Sequence, residues 1–185
     1  MRYLLTLFAF LIACSAAAQS ATKWEIKNPH KAVSFKIGSL FGKVDGSLQQ
    51  LSGDIYFSPD DLDGSRFDVE LPVATLDTDN DKRDEHLMKG DWFHQDKFPK
   101  IHFMSERIEQ VKVEGQTGYI AHGKLEIHGI RHEADLPFTF EPSEAGIAVF
   151  EGALRLNRLN FGVGEDDFKV KDLVDVDVMV VGKKR

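Results

Sequence analysis

His128 and His132 stand four residues apart, the spacing at which two imidazoles on one helix face can hold zinc. The surrounding residues do not supply that helix. Leu125-Glu126-Ile127 alternates as a strand does, and Gly129 marks a turn between the two histidines. His86 and His94 flank a second polar segment, with Asp84 and Asp91 nearby. Such nitrogen and oxygen donors can build a tetrahedral site, but no ligand motif orders them, and no metal ligand is assigned. Asp77-Thr78-Asp79-Asn80-Asp81 imitates the opening of a calcium loop. An EF-hand needs Gly at the sixth position and Glu at the twelfth; counted from Asp77 these are Lys82 and Met88.

Catalytic groups are equally sparse. There is no G-x-S-x-G elbow, and no phosphate-cradling loop or dinucleotide fingerprint. His86 with a neighbouring carboxylate is the pair an enzyme would use as acid or base. The reading adopted is a non-enzyme without a cofactor, with the His86 enzyme kept as an alternative.

The elements that must position these residues are strands. Val33, Phe35 and Ile37 alternate with polar residues, as do Phe67, Val69, Leu71 and Val73. Ile55 and Phe57, Ile101 and Phe103, and Leu125 and Ile127 repeat the pattern. Leu136, Phe138 and Phe140 follow, then Phe150, Leu154 and Leu156, and finally Val174, Val176, Val178 and Val180. Residues two apart share a face of a strand, so each run has one apolar face. Turn residues separate the runs, among them Asp45-Gly46, Ser58-Pro59-Asp60, Asp63-Gly64, Glu114-Gly115 and Gly146. Short one-sided strands at this spacing predict a closed barrel or a sandwich. The segment from Thr78 to His94 departs from the pattern. Asp79 or Asn80 can cap a helix there and Gly90 can end it. The expectation from this pattern is an all-β domain, a barrel or a sandwich, with one short helix over a mouth or side.

Residues 1–18 read as a signal peptide. Arg2 precedes an apolar run from Tyr3 to Ala13, and Ala16-Ala17-Ala18 offers a cleavage site. The run is short of the roughly 20 residues that span a bilayer. Residues 19–185 then form one exported domain. Leu11-Ile12-Ala13-Cys14 also resembles a lipobox, so an anchored lipoprotein at Cys14 is the alternative. Cys14 is the sole cysteine, and a chain cleaved after Ala18 has none. That excludes disulfides, thiolate metal sites and a cysteine nucleophile. The net charge of −7 disfavours nucleic acid.

An ordered set of short motifs carries a resemblance. Thr78-x-Asn80 leads into Arg83-Asp84-x-His86-Leu87, then Asp91-Trp92-Phe93 and Phe98-Pro99-x-Ile101-x-Phe103-x-Ser105. Gly123-x-Leu125-x-Ile127-x-Gly129 and Asn157-Arg158-x-x-Phe161-Gly162-Val163-Gly164 follow. Upstream stand His30, Val33-x-Phe35 and Val44-x-Gly46-x-Leu48. The set resembles the YceI-like family of bacterial periplasmic lipid-binding proteins from about Trp24 to Val181. One departure is Lys31 after His30, where the family commonly has Ser.

The resemblance implies an all-β, lipocalin-like antiparallel barrel of about eight strands, located in the periplasm, with an elongated apolar cavity and a polyisoprenoid, isoprenoid quinone or similar long-chain ligand. Phe35, Phe57, Phe67, Val69, Leu71, Phe103, Phe138, Phe140, Phe150 and Leu154 are the cavity candidates. Arg83, His86 and Arg158 are the polar candidates at its mouth. An arginine fork there can meet a diphosphate or carbonyl head group; alternatively Arg83 and Asp84 form an ion pair that pins the helix. Each buried methylene contributes about 0.8 kcal/mol, so a prenyl unit supplies roughly 3–4 kcal/mol. Association costs on the order of 4–15 kcal/mol, so a chain of several units is required. The chief alternative is a filled barrel that binds envelope proteins through a patch near Trp92-Phe93. Contact with a membrane surface, and a monomer or homodimer, fit either reading.

Overall fold

The computed structural model describes residues 20–27, 32–113 and 115–185. The expected signal peptide, Cys14, His30 and Lys31 lie outside the described residues. Ten strand segments are present: β1 (Thr22–Ile26), β2 (Val33–Ser39), β3 (Gly42–Leu48), β4 (Ser52–Phe57), β5 (Arg66–Pro72), β6 (Lys100–Val113), β7 (Gln116–Ile127), β8 (Ile130–Pro142), β9 (Ile147–Asn157) and β10 (Val170–Lys184). Among the described residues one helix, α1 (Asp81–Leu87), and two single 3-10 turns interrupt them.

These ten segments make eight staves. β1 and β2 both run antiparallel to β10, pairing with its C-terminal and N-terminal parts respectively. They are two halves of one broken stave. β3 pairs with β2 and β4 pairs with β1, so β3 and β4 are the two halves of the next. The chain then winds through β5, β6, β7, β8, β9 and β10, each antiparallel to its neighbour. The β1–β10 pairing closes the ring. Closure pairs both sides of every stave except at β3, whose outer side makes only the Ser47–Asp77 bridge, and so leaves little edge for pairing with other chains.

Alternation sets which side chains enter the barrel. In β10, Val174, Val176, Val178 and Val180 point inward, while Asp175 and Asp177 point out. Register aligns Val176 with Leu154 on one side and Phe35 on the other, so apolar rows cross the wall at each level. Gly46 lies opposite Phe35, and a Cβ there would stand 2.2 Å from its ring. The glycine admits the phenyl group. The β7–β8 hairpin turns through His128 and Gly129, both at positive φ (53° and 72°), as a two-residue primed turn requires. That turn is why the four-residue His128–His132 spacing has no helical meaning.

The two ends of the barrel differ. At one end, the floor, Phe57 is fully buried. Edge-on contacts join its ring to Tyr119 at 4.9 Å, Phe138 at 5.3 Å, Phe140 at 4.9 Å and Phe150 at 5.8 Å between centroids. The Trp24 indole N–H donates to the Phe57 carbonyl at 2.9 Å, tying β1 to β4 where the ring closes. Burial pushes the Tyr119 phenol up from its ordinary pKa. Edge-to-face pairs add about 0.5–1.5 kcal/mol each beyond burial. The other end, the mouth, carries α1, the β2–β3 and β7–β8 tips and the β9–β10 connection.

Phe57→Ala is expected to lower stability by about 3–5 kcal/mol, measured by urea denaturation. A loss below about 1 kcal/mol would mean that the floor is not a main support.

Candidate functional site: an apolar cavity beneath a pinned helix

Above the floor the barrel is hollow. A cavity of about 550 Å³ runs from Phe67, Phe138, Phe150 and Val180 up to Ser39, Arg83, His86 and Lys169. Its wall is almost wholly aliphatic and aromatic. Pockets of this size fall within the range for small-molecule ligands, and an apolar lining with few polar groups is their usual form.

α1 covers part of the mouth. Asn80 caps it, its side chain accepting from the Arg83 backbone N–H at 3.0 Å. Gly90 does not end it; the helix stops at Leu87, and Met88 N–H closes the last turn on the Asp84 carbonyl. Buried Thr78 anchors this segment. The Arg83 Nε donates to Thr78 Oγ1 at 2.7 Å and Nη2 donates to the Thr78 carbonyl at 2.6 Å. Asp84 accepts from the Thr78 backbone N–H at 3.2 Å and from its hydroxyl. Arg83 and Asp84 therefore grip the same threonine instead of pairing directly. With the helix held this way, Leu87, Trp92 and Phe93 turn toward the cavity.

Arg158 is 4% exposed and its guanidinium is taken up by backbone. Nε donates to the Lys171 carbonyl at 3.0 Å, Nη1 to Val163 at 2.8 Å, and Nη2 to Glu165 at 2.8 Å and Val170 at 3.1 Å. The Asp172 carboxylate lies 3.6 Å away, and the Trp92 ring faces the charge at 5.6 Å. One side chain thus organises the whole β9–β10 connection. Its rigid five-donor fork suits several carbonyls at once.

His86 is more than half exposed and bonds Asp91 through Nε2 at 3.0 Å. That bond holds the Asp91 carboxyl below the ordinary carboxylate range. Among the described residues no group of three or more His, Cys, Asp or Glu could hold a metal ion.

Eight of the residues singled out from the sequence line the cavity: Phe35, Phe67, Val69, Leu71, Phe103, Phe138, Phe150 and Leu154. Arg83, His86 and Arg158 stand at its mouth end. Phe57 and Phe140 do not line it. They pack against each other and the other floor aromatics, because β4 and β8 carry them past the level at which the lumen ends. Sequence reasoning passed over the β10 valines as cavity wall, although their alternation was visible. The exposed patch near Trp92-Phe93 that the filled-barrel alternative requires is half-buried over the lumen.

A closed eight-stave antiparallel barrel with one short helix and an apolar interior defines a lipocalin-like binding barrel. Within that class the chain belongs to the YceI-like domain family, whose profile matches residues 24–181. A UPF0312 protein of Photorhabdus laumondii is 30% identical over 127 residues, covering 68% of this chain and 64% of that protein, slightly under two thirds of its length. A UPF0312 protein of Vibrio vulnificus is 25% identical over 184 residues, covering 96% and 95%. The crystal structure of Burkholderia cenocepacia BcnA superposes with a TM-score of 0.71 at 24% identity, covering 80% of this chain and 94% of that one. A polyisoprenoid binding domain from Saccharophagus degradans, implicated in plant cell wall breakdown, gives 0.67 at 10% identity, covering 90% and 100%. At these identities the two structures establish the fold.

Two outcomes follow from the mouth geometry. Arg158→Ala leaves four carbonyls and Asp172 without their donor, and a loss of about 3–5 kcal/mol is expected. Arg158→Lys should recover little of it, since one ammonium cannot span the four sites; thermal unfolding of both variants measures this. His86→Ala should move the Asp91 pKa upward, read by NMR titration of that carboxyl. A depressed carboxyl stabilises the fold above its unfolded-state pKa and loses that contribution as pH falls through the folded value. The exposed His86–Asp91 bond is therefore one that acidification weakens.

Proposed function

We propose that this protein is an exported, non-enzymatic carrier that holds one long isoprenoid chain in its barrel, in the periplasm. The observation that carries the reading is the apolar cavity of about 550 Å³ inside a YceI-like barrel. The likeness to a polyisoprenoid binding domain supports the ligand class.

Depth gives a chain length. Cavity-lining residues on β10 run from Val170 to Val180. Ten residues at about 3.3 Å each, tilted about 35–45°, reach about 25 Å. An extended chain advances about 1.1–1.2 Å per backbone bond, taking three bonds per residue. The four bonds of a prenyl unit then need about 4.5 Å, and the cavity takes about five or six units. At the mouth His86 and Lys169, rather than the internally bonded Arg83 and Arg158, would meet the head group.

The test is native mass spectrometry of protein exported by its own leader. An excess of several hundred daltons over the denatured mass is expected, with an extractable prenyl lipid. Leu154→Trp fills the lumen opposite Val176 and should cut occupancy at least tenfold while the far-UV spectrum stays unchanged. Equal native and denatured masses after incubation with a detergent-solubilised prenol would overturn the carrier reading.

A further inference from the structure

Three of the most exposed large apolar side chains among the described residues lie together at the mouth. Phe41 is 93% exposed, Phe168 77% and Leu40 57%. They come from two segments tied to one another: the Leu40 N–H donates to the Lys169 carbonyl at 2.8 Å, and Ser39 pairs with Val170. Each tip is built by its own hydrogen bonds. Ser39 Oγ donates to the Gly42 carbonyl at 2.9 Å and accepts from the Phe41 N–H at 3.3 Å. Asp167 Oδ1 accepts from the Lys169 N–H at 2.7 Å and the Val170 N–H at 3.2 Å, which folds the chain around Phe168. The neighbours Ser39, Asp167 and Lys169 line the cavity, whereas Leu40, Phe41 and Phe168 do not. The patch is thus continuous with the opening yet outside the binding wall.

We propose that these tips dock the mouth onto a lipid bilayer, so that the ligand passes between bilayer and barrel without crossing water. The inference rests on the carrier reading. Weighted by their exposure, the two rings offer roughly 250–425 Å², and Leu40 adds a smaller share. A stable dimer needs about 800 Å² on each partner, so a second copy is the poorer occupant. Shallow, reversible insertion suits the small area. Charge does not drive it: Lys43, Lys169 and Lys171 stand among Glu165, Asp166, Asp167 and Asp172, and the chain carries −7 overall. Docking is therefore expected on uncharged phosphatidylcholine surfaces, with little dependence on salt.

The experiment compares the exported wild-type protein with F41S/F168S. Flotation with phosphatidylcholine vesicles reads docking whether or not a ligand is bound. Wild-type protein should float at low and high salt, and the variant should remain in solution. Uptake of a long-chain prenol is then measured by native mass in two ways. From detergent, both proteins should load equally; from vesicles, the variant should load at least tenfold more slowly. Absence of wild-type flotation, or equal loading from vesicles, overturns the proposal. So does light scattering that shows a dimer broken by the variant, since the patch would then be a self-contact. Failure of both proteins to load from detergent would count against the carrier reading, leaving flotation to decide docking.

Discussion

Phe57 meets four aromatic rings edge-on in the floor of the barrel, and the hollow space above depends on that contact. Interiors are normally close-packed, and empty apolar volume lowers stability. A barrel can tolerate a cavity of about 550 Å³ only if other regions bind the staves firmly. Here the floor packs strands from across the ring, and the Trp24–Phe57 hydrogen bond ties β1, the strand that closes on β10, to β4. Ladder pairing around the complete ring adds the rest. Stability is concentrated at one end, which leaves the other free to open.

The mouth solves a second problem, that of irregular chain beside an apolar lumen. Backbone carbonyls in such segments need partners. Arg158 satisfies two of them, at Val163 and Glu165, together with two more at the start of β10, and Thr78 is held by Arg83 and Asp84 in the same way. These charged residues keep loops in place more than they face outward. Their hydrogen-bonding capacity is largely used within the chain, so the cavity they border stays apolar.

Much of the wall was legible because alternation is a local property. Phe67-x-Val69-x-Leu71 and the β10 valines announce their inward faces without knowledge of their neighbours. Closure is not local. Nothing in Val33-x-Phe35 says that β1 and β2 are halves of one stave, and the break at Gln50, with φ 62°, is not marked by glycine. Depth along the axis is likewise set by register. Phe57 and Phe67 read alike, yet one plugs the floor and the other lines the lumen. Arg158 could be singled out by its motif, but its carbonyl partners sit in the β9–β10 loop, at Val163 and Glu165, and at the start of β10, at Val170 and Lys171, and the sequence does not reveal the path that brings them together.

The most direct test of a hollow carrier is a crystal structure of the protein purified without detergent from the cells that produce it. Continuous, branched electron density from Phe67 and Phe138 up to Arg83 is the result this account requires. Inward collapse of Leu154, Val176 and Phe35 into a packed lumen, with no density between them, would contradict it.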